Sequence, residues 1–214
     1  MRRSTLSAPR STSARDLPAR VVVLASGIGS LLRSLAEAAS APDFPADVVA
    51  VVVDRSCGAE TVGVSSRRVA LADFDDRSTW DEALADAVQS YDPDLVVSAG
   101  FMRILGPAFL ARFGGRIVNT HPALLPSFPG AHAVRDALAH GVKISGSTVH
   151  LVDDGVDTGP ILAQEAVPVL DSDTEESLHE RIKIVERRLL IDVVAAVSAR
   201  GVTTDGRKAQ IPSE

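Results

Sequence analysis

Asn119 and His121 are the residues whose types and spacing most directly suggest chemistry. They lie one residue apart at the end of an apolar run, and residues i and i+2 of a β-strand project from the same face. An amide can donate a hydrogen bond to a developing oxyanion, and an imidazole can stabilise that charge or transfer a proton. The competing interpretation is that His121 only satisfies a local hydrogen bond.

A second polar segment, VDDGVDTGP, contains Asp153, Asp154 and Asp157. These carboxylates lack the regular oxygen spacing and the closing glutamate of an EF-hand loop. A solvated turn is one interpretation. If Asp157 instead faces the same crevice as His121, its charge would raise the pKa of the imidazole and keep it protonated. No metal site is predicted, because metal-ligand spacing is lacking among the other histidines: His132, His140, His150 and His179.

A glycine-rich turn, ASGIGSLL, leads from a predicted strand into a predicted helix. Gly27 and Gly29 allow a ligand to approach the backbone closely, and Ser30 stands where unpaired N–H groups favour an anion. The turn matches neither the dinucleotide fingerprint nor the P-loop motif. Two interpretations therefore stay open, a site for a phosphate monoester and a tight turn without a ligand.

Strand-like and helix-like segments alternate from Arg20 onward. Apolar runs predict buried strands at RVVVLAS, DVVAVVVD, RVALAD, DPDLVVSAG and GRIVNTH. One intervening helix, STWDEALADAVQSY, has Ser78 or Thr79 as its candidate N-cap and Glu82 near the capping-box position. KISGSTVHLVDD and PILAQEAVPV predict a hairpin-like pair of strands. The last segment predicts a long amphipathic helix between Thr174 and Gly201.

This alternation predicts an α/β fold of three layers, Rossmann-like, with a mainly parallel twisted sheet, helices on both faces and a long C-terminal helix. Ligands of such sheets bind beyond the carboxyl ends of the strands. The segments SGIGS, SAGFMRIL and NTHP end the first, fourth and fifth strands. We therefore expect these three segments to line one crevice.

Composition excludes several classes of protein. The net charge of −6 disfavours a nucleic-acid partner. No apolar run approaches the roughly 18–20 residues of a membrane helix. The one cysteine, Cys57, cannot form an internal disulfide and shows no neighbouring base, so we expect a structural role for it and a cytoplasmic protein.

Residues 1–20 differ from the rest of the chain, with five Arg, one Asp, many Ser and hardly any bulky apolar side chains. Such a segment cannot bury itself. It lacks the apolar centre of a secretory signal, which leaves a disordered extension or an organellar transit peptide. Residues 21–214 are predicted to form a single domain.

NTHPALLPSFPG resembles the signature of the folate-dependent formyltransferases, in which Asn, and His two residues later, precede a Leu-Leu-Pro loop and a Gly. SGIGSLL, AGFMRIL and DDGVDTGPIL resemble, in the same order, other active-site segments of the family members that formylate glycinamide ribonucleotide. The resemblance runs from about Val21 to the last helix and implies the formyltransferase fold. It also implies formyl transfer from 10-formyltetrahydrofolate to the amine of glycinamide ribonucleotide in purine biosynthesis, without a metal.

The resemblance implies roles for individual residues. Asn119, His121 and Asp157 match the catalytic trio. The positions that match the phosphoribosyl-glycinamide side are Gly29, Ser30, Leu31, Lys183 and Glu186. Those that match the formyl-folate side are Arg77, Met102, Arg103, Ile104, Leu105, Asn119, Val152, Asp153, Asp154, Gly155, Val156 and Asp157.

Two positions bear on how the site would work, namely Leu31 in the glycine-rich turn and Pro126 in the loop after His121. Family members usually have Asn where this chain has Leu31, so phosphate binding is expected to depend more on backbone N–H groups and Ser30. Pro126 and its neighbours are expected to stiffen the wall beside the catalytic pair, and the Leu125–Pro126 bond is a candidate for the cis isomer.

Competing functions make different demands. A methionyl-tRNA formyltransferase is expected to need a further carboxyl-terminal domain and a basic surface, and a formyltetrahydrofolate hydrolase a regulatory domain before the catalytic one. A non-catalytic nucleotide-binding module would share SGIGS but would not require Asn119, His121 and Asp157 to meet. The apolar positions of the early helices suit either a homodimer or the core. Small-molecule substrates, with no nucleic acid or membrane partner, are the expectation.

Overall fold

Runs of β-branched residues form the centre of a mainly parallel sheet. The structure, a computed structural model, describes residues 17–213. Within that range the strands are β1 (Ala19–Ala25), β2 (Ala46–Val53), β3 (Ser65–Arg68), β4 (Leu95–Ser98), β5 (Ile117–His121), β6 (Ile144–Leu151), β7 (Ile161–Pro168), β8 (Thr203–Asp205) and β9 (Lys208–Gln210). Their order across the sheet is β3-β2-β1-β4-β5-β6-β7-β9-β8.

Helices cover both faces of this sheet. They are α1 (Ser30–Ala39), α2 (Arg77–Gln89), α3 (Pro107–Phe113), α4 (Ala133–Ala139) and α5 (Glu175–Arg200), with short 3-10 segments at Gly58–Thr61 and Leu71–Asp73. In β1, Val21 and Val23 pack in a core with α1 and α5, whereas Val22 and Leu24 pack in a second core with α2 and α3. Both faces of β1 are therefore buried, which explains its continuous apolar run.

The predicted fold class is confirmed. Strands β1 to β5 are parallel, whereas β5 pairs antiparallel with β6 and β6 with β7. The last helix begins after Thr174, whose side chain accepts a hydrogen bond from Ser177 N, and ends at Gly201 with φ 71°. Both predicted ends of α5 are thus confirmed, because an N-cap hydroxyl and a glycine with positive φ satisfy the helix termini.

The third strand lies earlier in the chain than its apolar pattern predicts. RVALAD spans residues 68–73, but β3 is Ser65–Arg68 and Leu71–Asp73 is a 3-10 turn. Strand β3 is at the edge of the sheet and all four of its residues are exposed, so it carries no apolar signal. The apolar Val69 instead packs into the core just after the strand ends.

Helix α2 also begins earlier than predicted. Its N-cap is Asp76, whose Oδ1 accepts a hydrogen bond from Thr79 N at 2.8 Å. Ser78 and Thr79 lie inside the helix, and Glu82 is exposed and outside the capping-box position. Aspartate caps a helix as well as serine does, so the carboxylate of Asp76, ahead of both candidates, takes the role.

Two further differences concern the chain ends. Strand β1 begins at Ala19, whose N–H donates to Pro45 O at 2.9 Å, so residues 19 and 20 belong to the sheet and not to the predicted extension. Residues 1–16 of the predicted extension lie outside the described residues. After α5, the short β8–β9 hairpin pairs with β7. Three-residue strands are too short to show a periodic pattern.

No helix within residues 17–213 combines the length and apolarity needed to cross a bilayer.

A buried carboxylate ties α2 to the start of α3. Asp81 is 2% exposed, and it accepts hydrogen bonds from Gly106 N at 2.7 Å, Ala108 N at 2.9 Å and Phe109 N at 3.1 Å. A Cβ at Gly106 would lie 2.5 Å from the Asp81 carboxyl carbon, so glycine is required for this approach. These bonds hold the point where the irregular segment after β4 enters α3.

Asp81→Ala is expected to lower the free energy of unfolding by about 2–4 kcal/mol, because it leaves buried N–H groups without an acceptor. Urea denaturation measures the change. Glu82→Ala, at the exposed neighbouring position, is the matched control and should change stability by less than about 0.5 kcal/mol. An Asp81→Ala value as small as the control's would show that this carboxylate does not hold α3.

Candidate active site

A cleft of about 480 Å³ opens beyond the carboxyl ends of β1, β4 and β5. The three loops expected to share one crevice all line it, which confirms that prediction. Of the predicted site residues only Arg77 and Asp154 are outside its lining. Those that line it are Gly29, Ser30, Leu31, Met102, Arg103, Ile104, Leu105, Asn119, His121, Val152, Asp153, Gly155, Val156, Asp157, Lys183 and Glu186.

His121 and Asp157 meet at the floor of this cleft. The His121 Nδ1 lies 3.3 Å from Asp157 Oδ2, and the same oxygen accepts a hydrogen bond from Gly130 N at 2.7 Å. The His121 Nε2 lies 2.7 Å from the carbonyl oxygen of Phe128, so this nitrogen donates. Both ring nitrogens thus face acceptors, a geometry that suits a doubly protonated imidazole.

Burial opposes that charge. His121 is 4% exposed, and desolvation lowers the pKa of its imidazole below the ordinary value, more than Asp157 and the Phe128 carbonyl raise it. Asp157 thus acts on His121 in the expected direction, but desolvation has the larger effect on the pKa of the imidazole. Burial also opposes ionisation of Asp157, but contacts with His150 and the Gly130 N–H hold the pKa of this carboxyl below its usual value.

Asn119 is oriented by a residue that the sequence analysis weighed only as a metal ligand. Strand β6 places His150 directly opposite Asn119, and the Asn119 Nδ2 lies 3.1 Å from His150 Nε2. His150 Nδ1 lies 2.9 Å from Leu151 O and donates to it, which fixes the imidazole ring. The contact with His150 Nε2 in turn orients the Asn119 amide in the cleft.

The loop 122–130 is held by side chains as well as by prolines. The Leu125–Pro126 bond is cis, as the sequence suggested. The Thr148 hydroxyl donates to Ala123 O at 2.7 Å and accepts from Leu125 N at 3.0 Å, while Gln164 Nε2 donates to Leu125 O at 2.8 Å. Thr148 lies on β6, which pairs with β5, and Gln164 lies on β7, which pairs with β6. The loop is therefore hydrogen-bonded to the sheet next to the strand that carries His121.

The glycine turn forms the entrance of α1. Gly29 has φ 77° and caps the helix, and a Cβ there would lie 2.8 Å from Ala59 Cα, so glycine is required. Ser30 is the first residue of α1 and lines the cleft. The unpaired N–H groups of this helix start are therefore available to an anion.

Charged side chains on one side of α5 line the end of the cleft at which the glycine turn lies. Lys183 Nζ lies 2.7 Å from Glu180 Oε1, and Glu186 is 6% exposed. Burial raises the pKa of the Glu186 carboxyl, while contacts with Thr120, Lys183 and Arg187 oppose that shift. His179 and Arg187 line the cleft with these residues.

Among the titratable side chains of the cleft lining, the sequence predicted no site role for three: His150, His179 and Arg187. The signal for two of them was helical spacing, since His179 and Arg187 stand four residues on either side of Lys183. For His150 the signal was its place opposite Asn119, which requires knowledge of strand register. Within residues 17–213 no group of three His, Cys, Asp or Glu side chains is arranged to hold a metal ion.

Residues 19–194 match the family model described as "Formyl transferase". The chain belongs to the formyltransferase family. The resemblance drawn from NTHPALLPSFPG and the other three segments is thereby confirmed, as is the expectation of an enzyme.

Relatives of this formyltransferase agree with the match. A Mycobacterium tuberculosis protein named phosphoribosylglycinamide formyltransferase is 63% identical over 196 residues, which cover 90% of this chain and 91% of that protein. The crystal structure of glycinamide ribonucleotide transformylase 1 from Symbiobacterium toebii superposes with a TM-score of 0.89 at 38% identity, covering 97% of this chain and all of that one. A formyltetrahydrofolate deformylase from Pseudomonas syringae pv. tomato has a TM-score of 0.84 at 26% identity, covering 92% of this chain and 66% of that one.

Asp157→Asn is expected to lower the pKa of His121 further, because it removes the negative charge that opposes desolvation. Histidine titration by NMR measures the shift. Asp153→Asn is the matched control, since Asp153 accepts from Gly155 N and the Thr158 hydroxyl within its own loop. A His121 pKa that is unchanged or higher in Asp157→Asn would contradict the assigned interaction.

Proposed function

We propose that the protein transfers the formyl group of 10-formyltetrahydrofolate to the primary amine of glycinamide ribonucleotide, giving N-formylglycinamide ribonucleotide and tetrahydrofolate in purine biosynthesis. One observation carries the proposal: the side chains of Asn119, His121 and Asp157 converge beside the Gly29–Leu31 turn in a single cleft. Polar groups for acyl transfer thus lie next to a helix start suited to a phosphate. The reaction needs two small-molecule substrates and suits a cytoplasmic enzyme.

The first step is attack of the amine nitrogen on the formyl carbon. A new N–C bond forms, the carbonyl π electrons move to oxygen, and a tetrahedral oxyanion results. The Asn119 amide is positioned to donate to that oxygen, since its contact with His150 fixes its orientation in the cleft. A donor that needs no reorientation during reaction stabilises charge most effectively.

His121 responds to the charge that develops. Desolvation favours its neutral form before reaction. A nearby oxyanion favours the imidazolium, so proton uptake by His121 accompanies formation of the tetrahedral species. Asp157 stabilises the resulting cation at Nδ1. The C–N10 bond then breaks, and the proton lost by the amine ends on N10 of tetrahydrofolate, relayed by His121 or by a water held at Asp157.

Substrate binding divides between the two ends of the cleft. At one end the backbone of Gly29 and Ser30 takes the phosphate, and because Leu31 has no polar side chain, Lys183 and Arg187 supply the positive charge. At the other end the loops 101–105 and 152–157 bind the folate, with the apolar Met102, 69% exposed, at the rim. Apolar side chains at such a rim suit the pterin and benzoyl rings.

Asn119→Ala, His121→Ala and Asp157→Asn are each expected to slow single-turnover formyl transfer by on the order of a hundred- to thousandfold, as loss of one oxyanion donor does. Rapid-quench measurement with saturating substrates isolates the chemical step. Asp171→Asn, at an exposed carboxylate outside the cleft lining, is the control and should retain normal turnover. A variant of the trio with near-normal turnover would remove that residue from the mechanism.

Substrate dependence separates this function from its rivals. Loss of 10-formyltetrahydrofolate, followed by absorbance, is expected to require glycinamide ribonucleotide. A deformylase would consume the folate at the same rate without it, and a non-catalytic nucleotide-binding module would not consume it at all. In thermal denaturation glycinamide ribonucleotide should raise the melting temperature more than NAD does, because ligands stabilise the state that binds them.

A further inference from the structure

The segment 101–105 forms one wall of the cleft without regular secondary structure. Its shape is instead held by side chains from neighbouring elements. Ser26 Oγ, just after β1, accepts from Met102 N at 2.9 Å, and Arg77 on α2 donates to the carbonyl oxygen of Ile104. Irregular backbone of this kind depends on such contacts for a single conformation.

The strongest of these contacts comes from the end of β2. Asp54, the residue that follows β2, has a side chain with no exposure, and its Oδ2 accepts from Arg103 Nε at 2.8 Å. Arg55 also binds this carboxylate, with its Nη2 at 2.9 Å from the same Oδ2. Asp54 is outside the cleft lining, whereas Arg103 lines it.

The ion pair between Asp54 and Arg103 persists at physiological pH because Asp54 stays ionised. Burial opposes ionisation of Asp54, but hydrogen bonds from Arg55, Ser26 and Arg103 together lower the pKa of its carboxyl to about 2. A buried carboxylate of this kind is costly to leave unpaired, so it holds its cation firmly. Arg103 uses its Nε for this contact.

We propose that Asp54 is a positioning residue for the formyl donor: through Arg103 it holds residues 101–105 in the conformation that forms the donor side of the cleft. The inference rests on the proposed function, since it assumes that this side binds the folate. A wall that is already ordered lowers the entropy cost of binding and does not change the chemical step. Loss of Asp54 should therefore weaken donor binding selectively.

The experiment compares intact wild-type protein with Asp54→Asn, which keeps the shape of the side chain and removes its charge. Calorimetric titration with tetrahydrofolate gives a dissociation constant, and steady-state kinetics give kcat and a KM for each substrate. We expect Asp54→Asn to raise both the Kd for tetrahydrofolate and the KM for the formyl donor about tenfold, because one charge-assisted contact is lost. The KM for glycinamide ribonucleotide and the kcat should change less than about twofold.

A matched control separates positioning from general stability. Asp173 has a 3% exposed side chain paired with Arg181 at 2.6 Å, and it lies just before α5, outside the cleft lining. Asp173→Asn should therefore lower the melting temperature by an amount comparable to Asp54→Asn and leave both donor constants unchanged.

Arg103→Lys is the second variant, since the Arg103 side chain is 32% exposed and the substitution leaves a cation beside Asp54. The variant keeps the charge but loses the guanidinium geometry, so it should also raise the Kd for tetrahydrofolate. If Asp54 acts through Arg103, adding Asp54→Asn to Arg103→Lys should raise this Kd little further.

Several results would overturn the inference. They are a wild-type Kd in Asp54→Asn, an equal rise in Asp173→Asn, and fully additive effects of the Asp54 and Arg103 changes. Failure of wild-type protein to bind tetrahydrofolate is a distinct result, because it overturns the proposed function and the inference with it.

Discussion

The Asp157 carboxylate is the group on which the site depends, because it joins the loop that follows β5 to the loop that follows β6. One oxygen meets His121 at 3.3 Å and Gly130 N at 2.7 Å, and the other lies 3.6 Å from His150. Asp157 reaches this position with φ 54°, a left-handed backbone conformation that Asp tolerates better than most residues. The Asp157 side chain therefore links the loops 122–130 and 152–157 directly.

Desolvation and nearby charge have opposite effects on the pKa of His121, and desolvation is the larger. The imidazole is buried enough to favour its neutral form, yet both of its nitrogens face acceptors that favour the cation. A group held between two protonation states responds to a small change in nearby charge. In the proposed mechanism the oxyanion of the tetrahedral intermediate is such a change, and it favours the protonated form of His121.

In several places a polar side chain holds a neighbouring loop or helix start by hydrogen bonds. Thr148 and Gln164 hold the segment after His121, Asp81 holds the start of α3, and Asp54 holds Arg103. Each supporting residue is polar, buried or partly buried, and reaches a loop from a regular element or its end. Loops that carry binding groups need this support because their own backbone makes few internal hydrogen bonds.

The sequence by itself determined the α/β class, the meeting of three loops at one edge of the sheet and both ends of α5. These follow from local patterns, namely apolar period, glycine and capping residues. It misplaced edge strand β3 and did not predict the β8–β9 hairpin or the place of His150, because exposed or very short strands carry no apolar pattern and register is not local. Only the tertiary structure decided strand register and the burial of His121, and the pKa of a buried group depends on neighbours distant in sequence.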